Sequence, residues 1–309
     1  MPERRLMIKV RLSVAVLLTL FVSSLLLACA GRPAPVGTIT DDLGRQVNIP
    51  TIPQRIVSLA PSTTEILFAL DLGDRVMGVD DFSDFPPEAK AKPKLGAPFP
   101  GFNIENIVDA EPDLILSVRG TYVEQLEARG LQVVVLEPQD MDHVLRNIEL
   151  VGRIAGAQGK AKEVVTDMKK RLARVRAKTS AASVIKPRVF YEVDATDPTK
   201  PWTAGPGSFI DALITDAGGQ NIAASRKELY FQISAEKLIS QNPQIILLAD
   251  TEFGVSVETA IRRAGWGGIE AVKKEAIYPI GADITSRPGP RLVEGLEAMA
   301  RLIHPELFQ

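Results

Sequence analysis

Short apolar runs alternate with helix-period stretches twice along this chain, and the alternation is interrupted once. Arg55-Ile56-Val57-Ser58-Leu59, Val76 to Val79, Leu114-Ile115-Leu116 and Val133-Val134-Val135-Leu136 form the first series. Runs this short, rich in branched residues and bounded by turn formers, read as strands buried on both faces. Strands of that kind alternating with helices read as a parallel sheet. The pattern resumes after Pro187 with Arg188 to Val193, Ile245 to Leu248 and Ile277 to Ile280. Ser208 to Asp216 and about Pro290 to Ile303 are its helices. Between the series, Met141 to about Ala182 keeps helical periodicity, broken near Gly156 to Gly159, and Lys160 to Lys178 has neither Gly nor Pro. The predicted fold class is therefore α/β: two α/β lobes with mostly parallel sheets, residues 38–140 and 184–309, bridged by linking helices over 141–183. With 309 residues, 45% of them hydrophobic, both lobes can bury full cores. Local signals add a hairpin over Thr38 to Ile49, turned at Asp42-Leu43-Gly44. They also place a helix start at Pro61-Ser62-Thr63-Thr64-Glu65, with Ser62 as N-cap and Glu65 at the capping-box position.

The first 28 residues stand apart. Arg4, Arg5, Lys9 and Arg11 make a positive segment, and Leu12 to Ala28 then runs 17 residues without a charge. That is short for a membrane span and suits a signal-peptide core. It ends in Leu26-Leu27-Ala28-Cys29, which resembles the lipobox of bacterial lipoproteins, with Leu27 bulkier than usual at its place. Cleavage there leaves Cys29 as an acylated N-terminus and 29–37 as a tether stiffened by Pro33 and Pro35, so the body is expected outside the cytoplasmic membrane. The leader carries four basic groups and one acid (Glu3). The whole chain stands at −2, so the remainder stands at −5.

Composition closes several routes. The balance is slightly acidic, and Lys169-Lys170-Arg171 reads as the solvated face of a linking helix, so no nucleic-acid partner is expected. One cysteine and two histidines, His143 and His304, exclude a disulfide framework and a Cys/His zinc cage. Each histidine reads as a surface or capping residue. No G-x-x-x-x-G-K-[ST] or G-x-S-x-G occurs, and no catalytic set or cofactor site assembles.

Two patterns remain. Ile104 to Leu116 and Ala235 to Leu247 repeat one plan 131 residues apart: a glutamate opens a helix, a proline follows seven residues on, and an apolar strand comes next. Glu105 and Glu236 thus take equivalent places, one per lobe, where the helix dipole alone already favours an acid. The few aromatics, 6% of the chain, collect in loop-like, proline-bounded stretches: Phe82 and Phe85, Phe99 and Phe102, Trp202, and Tyr230-Phe231. Loops at the carboxyl ends of strands are where open α/β sheets bind ligands. Aromatics from both lobes would clamp a large, flat, partly apolar ligand, with Phe85 and Phe231 covering sheet ends instead. Asp283 and Arg287 add a polar pair that orients a ligand or pairs internally.

Arg55-Ile-Val-Ser-Leu-Ala-Pro-Ser-Thr-Thr-Glu65, Phe82-Ser-Asp-Phe-Pro-Pro87, Asn103-Ile-Glu-Asn-Ile-Val108 and Pro112-Asp-Leu-Ile115 resemble the substrate-binding proteins of vitamin B12 and ferric-siderophore ABC importers, over residues 38–309. The resemblance implies two lobes on a rigid helical backbone, little closure, no catalysis, and a ligand between the lobes. It leans to the cobalamin-binding members. Matching their motifs implies ligand contacts at Phe82, Phe99, Trp202, Tyr230, Asp283 and Arg287. It also implies docking of Glu105 and Glu236 on arginines of a permease dimer driven by a cytoplasmic ATPase. Val118 stands where those members carry a tryptophan. Cobalamin or a related corrinoid is the expected ligand and ferric siderophore the alternative. Haem held by Tyr122 or Tyr230 is a further one, and an extracytoplasmic lipoprotein enzyme is the remote one.

Overall fold

The computed structural model of the chain describes residues 36–181 and 183–308. The leader, Cys29 and most of the tether lie outside the described residues. β1 (Gly37–Thr40) and β2 (Gln46–Ile49) form the expected antiparallel hairpin, and Val36 beside it packs on the core. The first lobe follows with β3 (Ile56–Ser58), α1 (Pro61–Ala69), β4 (Val76–Val79), a small hairpin of β5 (Gly96–Ala97) and β6 (Gly101–Phe102), α2 (Ile104–Asp109), β7 (Leu114–Ser117), α3 (Tyr122–Glu127) and β8 (Val133–Val135). Its sheet is parallel throughout, in the order β4-β3-β7-β8.

Two helices then bridge the lobes, α4 (Met141–Ile154) and α5 (Gln158–Thr179). Asp140 caps α4 by accepting from the His143 amide. On α5 the buried residues are Ala161, Val165, Met168, Leu172, Val175 and Thr179, a stripe with the three-and-four spacing of one helix face. The expected basic cluster divides: Lys169 and Lys170 are exposed on the opposite side, whereas Arg171 is half-buried and donates to both Glu297 oxygens at 3.0 and 2.8 Å.

The second lobe comprises β9 (Arg188–Glu192), β10 (Trp202–Ala204), α6 (Phe209–Asp216), β11 (Gln220–Asn221), β12 (Tyr230–Gln232), α7 (Ala235–Gln241), β13 (Ile245–Leu248), α8 (Val257–Ile261), α9 (Glu270–Lys273), β14 (Ile277–Pro279), α10 (Ala282–Ser286) and α11 (Leu292–Ile303). Its parallel sheet runs β11-β9-β13-β14. In both lobes the first strand is flanked by the second and third, and the fourth lies outside the third. The repeat read from Ile104 and Ala235 onward is thus a repeat of the whole sheet order, with α2 and α7 each leading into the third strand.

One apolar core runs from Ile66 and Leu67 on α1, through Val144 and Ile148 on α4 and Val165 and Leu172 on α5, to Leu213 on α6 and Leu296 on α11. The outer face of each sheet has its own smaller cluster, around Ile107 and Ile115 in the first lobe and Phe190 and Trp266 in the second. The connector is therefore part of the core rather than a tether between domains, which stiffens the relation of the lobes. Among the described residues no helix is long and apolar enough to cross a membrane.

Three local expectations are corrected. Pro61 occupies the first turn of α1, so the N-cap falls on Ala60, and Ser62 makes no cap. The adjoining hydroxyls turn inward: Ser58 Oγ lies 2.7 Å from both Thr63 Oγ1 and Thr64 Oγ1. Glu65 reaches Arg291 instead of closing a capping box. His304 is buried, with Nε2 3.1 Å from the Gly218 carbonyl and Nδ1 3.0 Å from Glu306. His143 is tied to Asp42 at 2.8 Å, and with Asn147 it fastens the first hairpin onto α4.

Candidate functional site

The carboxyl ends of both sheets supply the loops between the lobes. A cavity of about 250 Å³ lies there, lined from the first lobe by Val118 and Leu136 to Gln139. Its other wall is Gly207 to Phe209, Leu229, Tyr230, Ser286 and Pro288 of the second lobe. Val118 follows β7 and Leu136 follows β8, so strand order alone brings them to this edge. Ser208 caps α6 by accepting from the Asp211 amide, which puts the start of that helix in the opposite wall. The cavity is half open to solvent and a little smaller than the usual small-molecule site.

Tyr230 lines that cavity, and Trp202 lies next to it on the paired strand, for a geometric reason. β10 and β12 pair antiparallel, Trp202 opposite Gln232 and Ala204 opposite Tyr230. Side chains alternate across a strand, so Trp202 and Tyr230 are diagonal neighbours on one face and Phe231 falls on the other. Exposure agrees: Trp202 is 42% and Tyr230 41% exposed, whereas Phe231 is 8% and lies under the Arg226 guanidinium. Phe82 is exposed in the loop after β4. Phe99 is exposed at the tip of the β5–β6 hairpin, which is tied to the same loop by the Asp81 amide donating to the Gly96 carbonyl at 2.8 Å. Phe82 and Phe99 thus come from adjoining segments on the β4 side, and the cavity occupies the β7–β8 side.

Asp283 and Arg287 are engaged internally. Arg287 donates to Asp84 Oδ1 at 2.6 Å and lies 2.6 Å from Asp283 Oδ1. Burial opposes ionisation of Asp84, but the hydrogen bond and charge of Arg287 outweigh it and hold the carboxyl below its ordinary value. Beside them Arg291 forms a two-pronged pair with Glu65, at 2.6 and 3.0 Å, and lies over the Phe85 ring. Burial raises Glu65 above the usual carboxylate range despite that partner. Neither Glu65 nor Arg291 figures among the site residues expected from the sequence. The two arginines at either end of Pro288-Gly289-Pro290 were the available signal.

Glu105 and Glu236 are exposed, each the second residue of a short helix, α2 capped by Asn103 and α7 capped by Ser234. Tyr122 is half-buried, its hydroxyl 3.0 Å from Ser117 Oγ. Among the described residues no cluster of three His, Cys, Asp or Glu side chains is arranged to hold a metal ion.

A family model described as periplasmic binding protein matches residues 56–284, which takes in both sheets, the connector and most of the cleft. The chain belongs to the periplasmic binding protein family. Its members bind their ligands and do not transform them, in keeping with the expected absence of catalysis. The chain is 33% identical over 312 residues to the uncharacterized ABC transporter substrate-binding lipoprotein YvrC of Bacillus subtilis, covering 94% of this chain and 96% of that one. It is 29% identical over 282 residues to a cobalamin-binding protein of Halobacterium salinarum, 86% of this chain and 74% of that one. The crystal structure of the periplasmic vitamin B12 binding protein BtuF of Vibrio cholerae superposes with a TM-score of 0.74 at 26% identity. That match covers 84% of this chain and 99% of the other.

Proposed function

We propose that this periplasmic binding protein is the receptor of an ABC importer, anchored by acylation of Cys29, and that it carries cobalamin or a related corrinoid between its lobes to a permease dimer. The observation that carries the reading is the pair Trp202 and Tyr230 on one exposed face beside a cavity walled by both lobes. Flat aromatic faces at the margin of an apolar floor suit a macrocycle with an apolar plane and polar rim. The names of the relatives from Halobacterium and Vibrio support the corrinoid, and that of the Bacillus relative supports a lipoprotein receptor. Phe82 and Phe99 would meet the same ligand from the first lobe. Arg287 and Asp283 reach it only by giving up part of their mutual pairing, or through their free edges.

Ferric siderophore is the second reading, favoured by Val118, which lines the first lobe's wall where the cobalamin-binding members carry a tryptophan. Haem is a further reading, with Tyr122 or Tyr230 as the candidate ligand. Desolvation, reinforced by the neighbouring Tyr191, raises the Tyr230 phenol well above its ordinary value, and burial raises Tyr122.

Calorimetric titration of residues 30–309 with cyanocobalamin, then with ferric hydroxamate and catecholate chelates, tests the reading. One-to-one heat with cobalamin is the expected result; heat only with a ferric chelate moves the ligand to the second reading. Replacing Trp202→Ala is expected to weaken binding by about 1–3 kcal/mol, some 5- to 150-fold, through lost stacking and burial. An unchanged affinity removes Trp202 from the site.

A further inference from the structure

The segment Arg287-Pro288-Gly289-Pro290-Arg291 joins α10 to α11 in the second lobe, and apart from the Arg287–Asp283 pair its charged contacts reach Glu65 and Asp84 of the first. Arg291 donates from Nη2 to Glu65 Oε1 at 2.6 Å and from Nε to Glu65 Oε2 at 3.0 Å, across 226 residues of sequence. Arg287 donates to Asp84 across 203 residues, and its Nη1 also lies 3.7 Å from Glu65 Oε1. The Arg291 guanidinium lies 3.8 Å from the centre of the Phe85 ring. Between the arginines, Gly289 runs against α1: a Cβ there would sit 3.2 Å from the Ser62 carbonyl oxygen and 3.6 Å from Glu65 Cβ. The two prolines restrict the backbone on either side of that contact.

The surfaces gripped are themselves rigid. Ser83, between Phe82 and Asp84, is buried and bonded to Asp80, and its Oγ lies 2.7 Å from Thr64 Oγ1. Thr64 continues to Ser58 in β3, so a chain of buried hydroxyls pins the loop to α1 and the sheet. Four consecutive residues thus face four ways: Phe82 to the solvent, Ser83 to the hydroxyl chain, Asp84 to Arg287 and Phe85 to Arg291. On the other side, Ser286 and Pro288 line the cavity while α11 packs on the connector helix α5. The segment therefore lies between the connector and the cleft. Its arginine side chains are only 15% and 16% exposed, and Glu65 is buried, so solvent and salt screen the Arg291–Glu65 pair less than a surface one.

We infer that Arg287–Arg291 is an interlobe clasp, a proline-stiffened strap of the second lobe that grips α1 and the Phe82–Phe85 loop of the first and fixes the aperture of the cleft. The helical connector holds the lobes along one line, and the clasp supplies a second. Opening further would require stripping two partly buried arginines from Glu65 and Asp84 together. Any ligand on Phe82 and Pro288 touches both halves of the clasp.

Interlobe distance is the direct test, made without ligand, so it stands or falls independently of the corrinoid assignment. Residues 30–309 contain no cysteine. Glu124→Cys on α3 and Lys273→Cys on α9, both exposed, then take one spin label per lobe for pulsed electron-spin distance measurement. With the clasp intact the distance distribution should be single and narrow. In the Arg287→Gln/Arg291→Gln variant it should become roughly two-fold wider or shift to longer distance. If that variant does not fold, Gly289→Val keeps both arginines and pushes the strap off the Ser62 carbonyl; the same broadening is expected. A folded variant of either kind whose distribution matches that of the parent overturns the clasp.

Discussion

Uptake is expected to fail when Glu105→Lys and Glu236→Lys are combined, while the affinity of the isolated receptor for its ligand stays unchanged. Both carboxylates are exposed, and neither lines the cleft. Their helices lead into equivalent strands, β7 and β13, of two sheets with the same order. A pseudo-symmetric receptor with one acid per lobe matches a two-fold partner that presents the same basic pocket twice. Reversal replaces two attractive contacts with two like-charge juxtapositions, each worth several kcal/mol at a docked interface. The receptor itself should tolerate the change. Placing a lysine in the first turn of a short helix costs about 0.3–1 kcal/mol through the helix dipole. Radiolabelled ligand uptake in cells, with calorimetry on the purified variant, separates the two effects. Uptake at the parental rate by the double variant would refute the docking role. Loss of ligand affinity would instead show that the lobes had been disturbed.

What the sequence disclosed and what it withheld divide along the distance between partners. Ile245 to Leu248 and Leu114 to Ser117 announce themselves because a strand buried on both faces needs an unbroken apolar run, and proline or aspartate ends it locally. The connector was legible because Lys160 to Lys178 offers nothing that could stop a helix. Ser62 misled because capping is a competition: Pro61 fits the first helical turn, which moves the cap back to Ala60. Phe231 could be set apart from Trp202 and Tyr230 only by assuming that it faced inward, and the register of β10 on β12 supplies the reason. The interlobe pairs left almost no local trace. Glu65 looks like part of a helix start until Arg291 arrives from 226 residues away, and His143 seems unpartnered until Asp42 is brought to it. Cavity residues such as Leu136, Pro138 and Leu229 carry no chemical signature; only the strand ends that hold them make them a wall.

The largest change in stability is expected at Arg263. Glu192, at the end of β9, is fully buried, and Arg263 donates to both its oxygens at 2.5 and 2.9 Å. The same guanidinium lies 4.6 Å from the centre of the Trp266 ring. Asp250 is also buried; its Oδ2 accepts from the Ala195 amide, and its Oδ1 has no hydrogen-bond partner. Two buried acids thus share one buried cation. Burial pushes the Glu192 carboxyl up to about 7 against the pull of Arg263, with Asp250 adding to the rise. Arg263→Leu removes the sole cation of the group and should cost about 3–5 kcal/mol at pH 8, the usual price of stranding a buried charge. The sign of the pH dependence follows from the raised value. Between the ordinary glutamate range and about pH 7, folded Glu192 holds a proton that the unfolded chain has released. Its contribution is therefore fully present at low pH and is lost as pH rises through 7, by something on the order of 1–3 kcal/mol. In the Arg263→Leu variant protonation relieves the repulsion, so its deficit should shrink on going from pH 8 to pH 5. Glu192→Gln should flatten the parental slope over that interval. Urea unfolding at pH 5, 6.5 and 8 on the three proteins reads these differences, and a parental slope that persists in Glu192→Gln would move the titrating proton to Asp250.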